Sequence, residues 1–179
     1  TLVLMLIGIL LRCIFEPIMV RFPAVIPLAL LSGPMEVSSV VLFIAIILAS
    51  WRKSGEALQV CDAFLLSGLF WFLFQTVFES LYFAATALAK SRQELLHLVS
   101  VWQAPLRDFQ IHGFALLIIL GVGQRVFPAL FGFTRPSRSS ALVAIVLINF
   151  GVIAEGTGLI FMRASAHAWA ALWYAGVLA

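Results

Sequence analysis

A chain of 179 residues with 63% hydrophobic and only 11% charged positions cannot cover its apolar mass with a water-facing shell, since an ordinary soluble domain carries about 25% charged residues. The formal charge of +3 comes from 11 Lys+Arg against 8 Asp+Glu and is scattered rather than gathered into a basic arm or stripe, which excludes a nucleic-acid partner. Cys13 and Cys61 stand singly in apolar runs, far from any CxxC, so neither a disulfide framework nor a zinc site is indicated and both read as small core residues.

A helix that crosses ~30 Å of hydrocarbon at 1.5 Å per residue takes about 20 residues. By that measure the expected fold is all-α, a polytopic transmembrane helix bundle with about six spanning segments, residues 1–179 forming one transmembrane helical domain. The chain begins at Thr1 inside an apolar run without a charged leader, and its last apolar stretch is short for a crossing, so a fragment of a longer protein is expected.

The first stretch covers residues 1–20, where Arg12 and Glu16 stand four apart and are expected to neutralise each other. Three prolines between 23 and 34 predict a broken or interfacial connection before the second stretch, 35–51. The third, 58–89, would be ~48 Å long if fully helical and must tilt or project. Gly68, Gln75, Glu79, Tyr82 and Thr86 recur along it at helical spacing and form one polar face, while Phe70, Phe72 and Phe74 look toward lipid or other helices. That face reads either as the edge of a polar cavity or cofactor, or as interhelical hydrogen bonds that act as glue. A polar extramembrane linker, 91–110, follows with His97, Pro105, Arg107 and Asp108.

The fourth stretch is 111–133, the fifth 141–162 and the sixth 164–179. The loops do not orient the bundle. Arg52, Lys53, Arg135 and Arg138 fall on one side, against Arg21, Lys90, Arg92, Arg107 and Arg163 on the other. In the fifth stretch Glu155 is flanked on its own face by Gly151 and Gly158, which leaves room for a helix or a flat ligand. A carboxylate there is expected to be paired, with an arginine in the simplest case, or protonated beside a ligand.

The candidate chemistry lies in the fourth stretch, which reads RDFQIHGFALLIILGVGQRVFPALFGF from Arg107 to Phe133. His112 opens it beside Gly113, and neutral imidazole is a common ligand to haem iron and to copper. Leu116, Ile119 and Gly123 follow at +4, +7 and +11 on the same face, where a small residue would admit a planar ring. An interfacial, merely hydrogen-bonding histidine is the plainer alternative. Arg125 lies thirteen residues on, ~20 Å along the axis and on nearly the opposite side, so it cannot share one small site with His112. His97 and His167 are further candidate metal ligands.

The run from His112 to Phe131, with its histidine-glycine opening and the close GVGQRVFPALF, resembles a membrane helix of the NnrS family. Members of that family have about a dozen spanning helices and are described as haem- and copper-containing, with a role in nitric-oxide tolerance. The resemblance implies a membrane metalloprotein that holds haem, with copper as a second metal. His112 would be the ligand and Arg125 a partner to an anion or propionate. It covers one helix, in a chain about half as long as such a protein. The expected function is a haem or haem-copper membrane protein of nitric-oxide or respiratory redox physiology, in a bacterial cytoplasmic membrane. The rival is a non-catalytic membrane subunit of a respiratory or photosynthetic complex, binding lipid, quinone or pigment and neighbouring subunits. A small-solute transporter lined by Gln75, Glu79 and Glu155 is the third reading.

Overall fold

A computed structural model describes residues 1–132, 134, 136–164 and 169–178, and every regular element among them is helical. These elements are α1 (Leu2–Met19), a 3-10 turn (Pro23–Val25), α2 (Ile26–Ser54), α3 (Val60–Ala87), α4 (Arg92–Asp108), a π-helical segment (Phe109–Leu116), α5 (Leu117–Phe131), α6 (Arg138–Ala164) and α7 (Ala170–Val177). Gly55 and Gly132 end α2 and α5 in the left-handed conformation, φ 66° and 67°, which a residue without a Cβ adopts at no steric cost.

Five helical stretches among the described residues are long and apolar enough to cross a membrane: Leu2–Met19, Pro23–Ser54, Val60–Ala87, Arg92–Phe131 and Arg138–Arg163. Their outer surfaces suit that solvent. Leu6, Leu10 and Ile14 on α1, and Val143, Val146, Phe150 and Ile153 on α6, are exposed at helical spacing. A water-soluble monomer does not carry such stripes, whereas acyl chains cover them without cost. The helices are those of an integral membrane protein.

Several sequence expectations are corrected. The prolines between 23 and 34 do not break the chain into a connection and a separate span. After the 3-10 turn α2 runs 29 residues, with Pro27 in its first turn and Pro34 inside it. First-turn proline loses no hydrogen bond, and the single bond lost at Pro34 is tolerated in a packed membrane helix. The expected linker 91–110 is mostly α4, an amphipathic helix that buries Val101, Pro105, Leu106 and Asp108 and continues into the π-helical segment. The sixth stretch contributes the eight residues of α7, and five candidate spans are present among the described residues. His167, Phe133 and Arg135 lie outside the described residues.

The chain forms two compact units, each held by its own contacts. One comprises residues 1–56 and 73–99, the other 57–72 and 100–179. In the first, α1 packs along α2, where Ala29, Ser32, Ser39 and Val40 are buried. Gly8 makes the approach possible, since a methyl group there would lie 2.9 Å from Glu36 Cγ. The polar face of α3 is partly recovered here: Gln75 is buried, Tyr82 half-buried, and Glu79 meets Arg12. Arg12 does not pair with Glu16, which is exposed; it reaches Glu36 at 3.1 Å and Glu79 at 2.7 Å, and its guanidinium lies 5.0 Å from the Phe83 ring centre.

The second unit is built around aromatic stacking. Trp71 stacks on Phe109 at 5.5 Å and Phe72 on Phe114 at 4.5 Å. Asn149 of α6 accepts hydrogen bonds at Oδ1 from Trp71 Nε1 (2.8 Å) and Ser67 Oγ (2.9 Å). Gly113 lets the Trp71 indole lie against the helix, for a methyl group there would be 2.9 Å from its Cγ. Arg163, near the end of α6, donates to the Ser100 carbonyl of α4.

Candidate functional site

Three ionisable side chains converge in the second unit. Asp108 is the last residue of α4, His112 sits in the π-helical segment that follows, and Glu155 projects from α6. His112 Nδ1 lies 2.7 Å from Asp108 Oδ1 and 3.3 Å from Glu155 Oε2. The three donor atoms fall within 4.8 Å of one another. Asp108 is almost fully buried, Glu155 largely so, and the His112 side chain keeps 47% of its exposure.

The local fold explains the convergence. A π-helix closes i→i+5 bonds and carries more residues per turn than an α-helix, and such segments concentrate at functional sites. Residues 108 and 112 therefore stay neighbours, while the faces of everything beyond them rotate relative to a regular helix. Phe109 wedges under α6, where Gly156 alone leaves it room, because a methyl group at 156 would run into its ring. The wedge brings α6 to the π-helical segment and sets Glu155 beside His112. Glu155 is thus paired with a histidine, not with an arginine.

The same rotation redistributes the expected ligand face. His112 and Leu116 line one open cavity of about 330 Å³, with Ile148, Gly151, Val152, Glu155, Gly176 and Val177 completing its wall. Ile119 and Gly123 line a different one, about 240 Å³, in which Phe127 and Pro128 are their neighbours. Gly123 faces the Phe127 ring, not a space beneath His112. Arg125 is exposed and lines a third cavity, about 230 Å³, with Gln59, Gln124 and Arg138. The glycines beside the histidine are Gly151 and Gly176. Gly151 and Gly158, read as leaving room for a helix or a flat ligand beside Glu155, receive a helix, α7: a methyl group on Gly176 would lie 2.8 Å from the Gly151 carbonyl oxygen, and one on Gly158 2.8 Å from the Trp173 nitrogen.

His97 is exposed on α4 and belongs to the other unit, as do Gln75, Glu79 and Tyr82. Of the described residues expected to hold a metal or cofactor or to sit beside one, the structure joins His112 with Glu155. It adds Asp108, which sequence reasoning left in a linker although the DxxxH spacing of Asp108 and His112 places both on one helical face.

The donor set suits a hard or borderline cation. Metal–oxygen and metal–nitrogen bonds of about 2.1 Å at right angles put neighbouring donors about 3 Å apart, and the observed 2.7 and 3.3 Å bracket that edge. Asp108 Oδ2 is buried and accepts no hydrogen bond among the described residues, an unsatisfied oxygen in an apolar bundle. For haem the fit is partial. Asp108 would orient the ring by accepting from Nδ1–H, leaving Nε2 toward the cavity, but carboxylates rather than cations surround it and Arg125 lies in another cavity.

No family model, curated protein or solved structure matches the chain.

Proposed function

We propose that the protein is an integral membrane metalloprotein in which Asp108, His112 and Glu155 together hold one divalent cation of the Mn²⁺, Fe²⁺ or Zn²⁺ kind. The convergence of the three donors within 4.8 Å carries this reading. Two carboxylates beside one imidazole keep an uncancelled negative charge even when the histidine is protonated, and such a charge in hydrocarbon costs at least ~2.5–3.5 kcal/mol on insertion scales. A divalent cation cancels both negative charges at once. Mixed carboxylate and imidazole donors favour Mn²⁺, Fe²⁺ and Zn²⁺ over softer ions, and three protein ligands leave positions open for an exogenous one. The apolar wall of Leu116, Ile148, Val152 and Val177 beside those positions suits a small or lipid-soluble molecule.

A haem reading rests on the same histidine and on the resemblance of its helix to the NnrS family. It uses Nε2 as the iron ligand, with Nδ1 held by Asp108 at 2.7 Å, and it brings with it copper, nitric-oxide or respiratory redox physiology and a bacterial cytoplasmic membrane. Assembly with other membrane subunits fits either reading, since the apolar stripes on α1 and α6 can meet a neighbouring helix as well as acyl chains.

Thermal unfolding of the detergent-purified protein separates them. Added Mn²⁺ or Zn²⁺ at 100 times its dissociation constant should stabilise the wild type by about 2.7 kcal/mol and leave Glu155→Gln nearly unmoved. A Soret band that shifts on His112→Ala, without divalent-ion stabilisation, would establish haem instead. Absence of both would remove the metalloprotein reading.

A further inference from the structure

Arg12, Glu36 and Glu79 bring one positive and two negative formal charges together on α1, α2 and α3, inside segments apolar enough to span a membrane. Glu36 and Arg12 keep 8% and 14% of their side-chain exposure, and Glu79 keeps 32%. With both carboxylates ionised the three side chains carry a net formal charge of −1. From α1 the facing charged group is Arg12, Glu16 being exposed one turn on; from α3 it is Glu79, and α2 adds the hydroxyl of Ser32, 3.5 Å from Arg12 Nε. A bare excess charge of this kind is expelled from hydrocarbon or cancelled.

We infer that this cluster is a proton-binding site, with Glu36 carrying one exchangeable proton while Arg12 and Glu79 form the ion pair.

The geometry distinguishes the two carboxylates. Arg12 Nη1 donates to Glu79 Oε1 at 2.7 Å, an aligned, charge-assisted hydrogen bond to the more exposed partner. The contact of Nη2 with Glu36 Oε2 at 3.1 Å lacks that alignment, and Nη2 makes no hydrogen bond among the described residues. Glu36 is therefore both the more buried acid and the less well paired. A metal cation is a poor substitute for the proton, because the guanidinium already contacts both carboxylates and Gly8 closes on Glu36 Cγ. One turn before Glu79, the buried Gln75 Oε1 accepts no hydrogen bond among the described residues, so that face of α3 also carries a spare acceptor. The site lies in the unit that lacks Asp108, His112 and Glu155, and the inference stands whatever those residues bind.

Infrared spectroscopy of the full chain in detergent or nanodiscs tests it through the carbonyl stretch of a protonated carboxyl group, identified by its shift in deuterium oxide. Difference spectra against Glu36→Gln should show one such band in the wild type that the variant lacks. Glu79→Gln should also remove it, because the remaining Glu36 then pairs one-to-one with Arg12 and ionises; this second variant decides the matter if the first does not fold. Folding should become insensitive to pH in Glu36→Gln over the range where the wild-type band titrates. A wild-type spectrum without the band, or one that neither variant changes, overturns the proposal. Loss of the band on adding Na⁺ or K⁺ at constant pH would overturn it in favour of a cation site.

Discussion

Gly176 of α7 packs against Glu155 of α6 so closely that a methyl group on the glycine would lie 2.5 Å from the Glu155 backbone nitrogen. The atoms opposed are backbone, which cannot swing aside as a long side chain can. Gly176→Ala should push α7 outward and cost about 1–3 kcal/mol, as overpacking does. Thermal unfolding in detergent reads the loss. An unchanged melting temperature would mean that α7 does not sit against α6 in this way.

Asn149 ties α3 to α6 through the two hydrogen bonds its Oδ1 accepts from Ser67 and Trp71. Interhelical bonds in membrane proteins average about 0.6 kcal/mol, so Asn149→Ala should destabilise by roughly 1 kcal/mol, and Trp71→Phe, which loses one bond, by less. A double-mutant cycle on Ser67 and Asn149 measures the coupling directly; zero coupling would contradict the contact.

Arg12 supplies a harsher contrast. Removing it leaves Glu36 and Glu79 without their cation, and breaking a buried pair from one side typically costs about 3–5 kcal/mol. Arg12→Ala should therefore abolish or sharply reduce yield, whereas Glu16→Ala should behave as wild type because Glu16 is exposed. Equal damage from both would restore the local Arg12–Glu16 pair.

These cases show what was legible in the sequence. The spans α1, α3 and α6 follow from length and hydropathy alone, and the 7, 4 and 3 spacing of Gly68, Gln75, Glu79 and Tyr82 identified a face whose Gln75 is buried and whose Glu79 is ion-paired. Arg12 was misassigned because i,i+4 proximity is visible in a sequence, whereas Glu36 and Glu79, 24 and 67 residues away, are brought to it only by packing. Proline spacing misled at Pro27 and Pro34, since its effect depends on position within a turn. The π-helical segment was illegible in principle, because a period of 3.6 was assumed from His112 onward, and one wide turn moved Ile119 and Gly123 to another cavity. Asp108 was hidden by its polar neighbourhood, which read as a linker and folds as the end of α4.

At the three-donor site, Asp108→Asn preserves shape and one acceptor but removes a negative charge. It should weaken metal binding by more than about 10–100-fold, since losing a liganding carboxylate costs more than losing a carboxylate that only supports a ligand, while the helices still assemble. Glu155→Gln should likewise fold. Failure of either variant to accumulate would indicate that the carboxylates hold the fold rather than an ion.

The most direct test is metal content by plasma mass spectrometry after the purified protein is equilibrated with Mn²⁺ or Zn²⁺ and dialysed. About one ion per chain is expected in the wild type and almost none in His112→Ala, because a metal bound by three ligands is lost with its imidazole. A wild type that retains no ion, or a variant that retains as much, would contradict it.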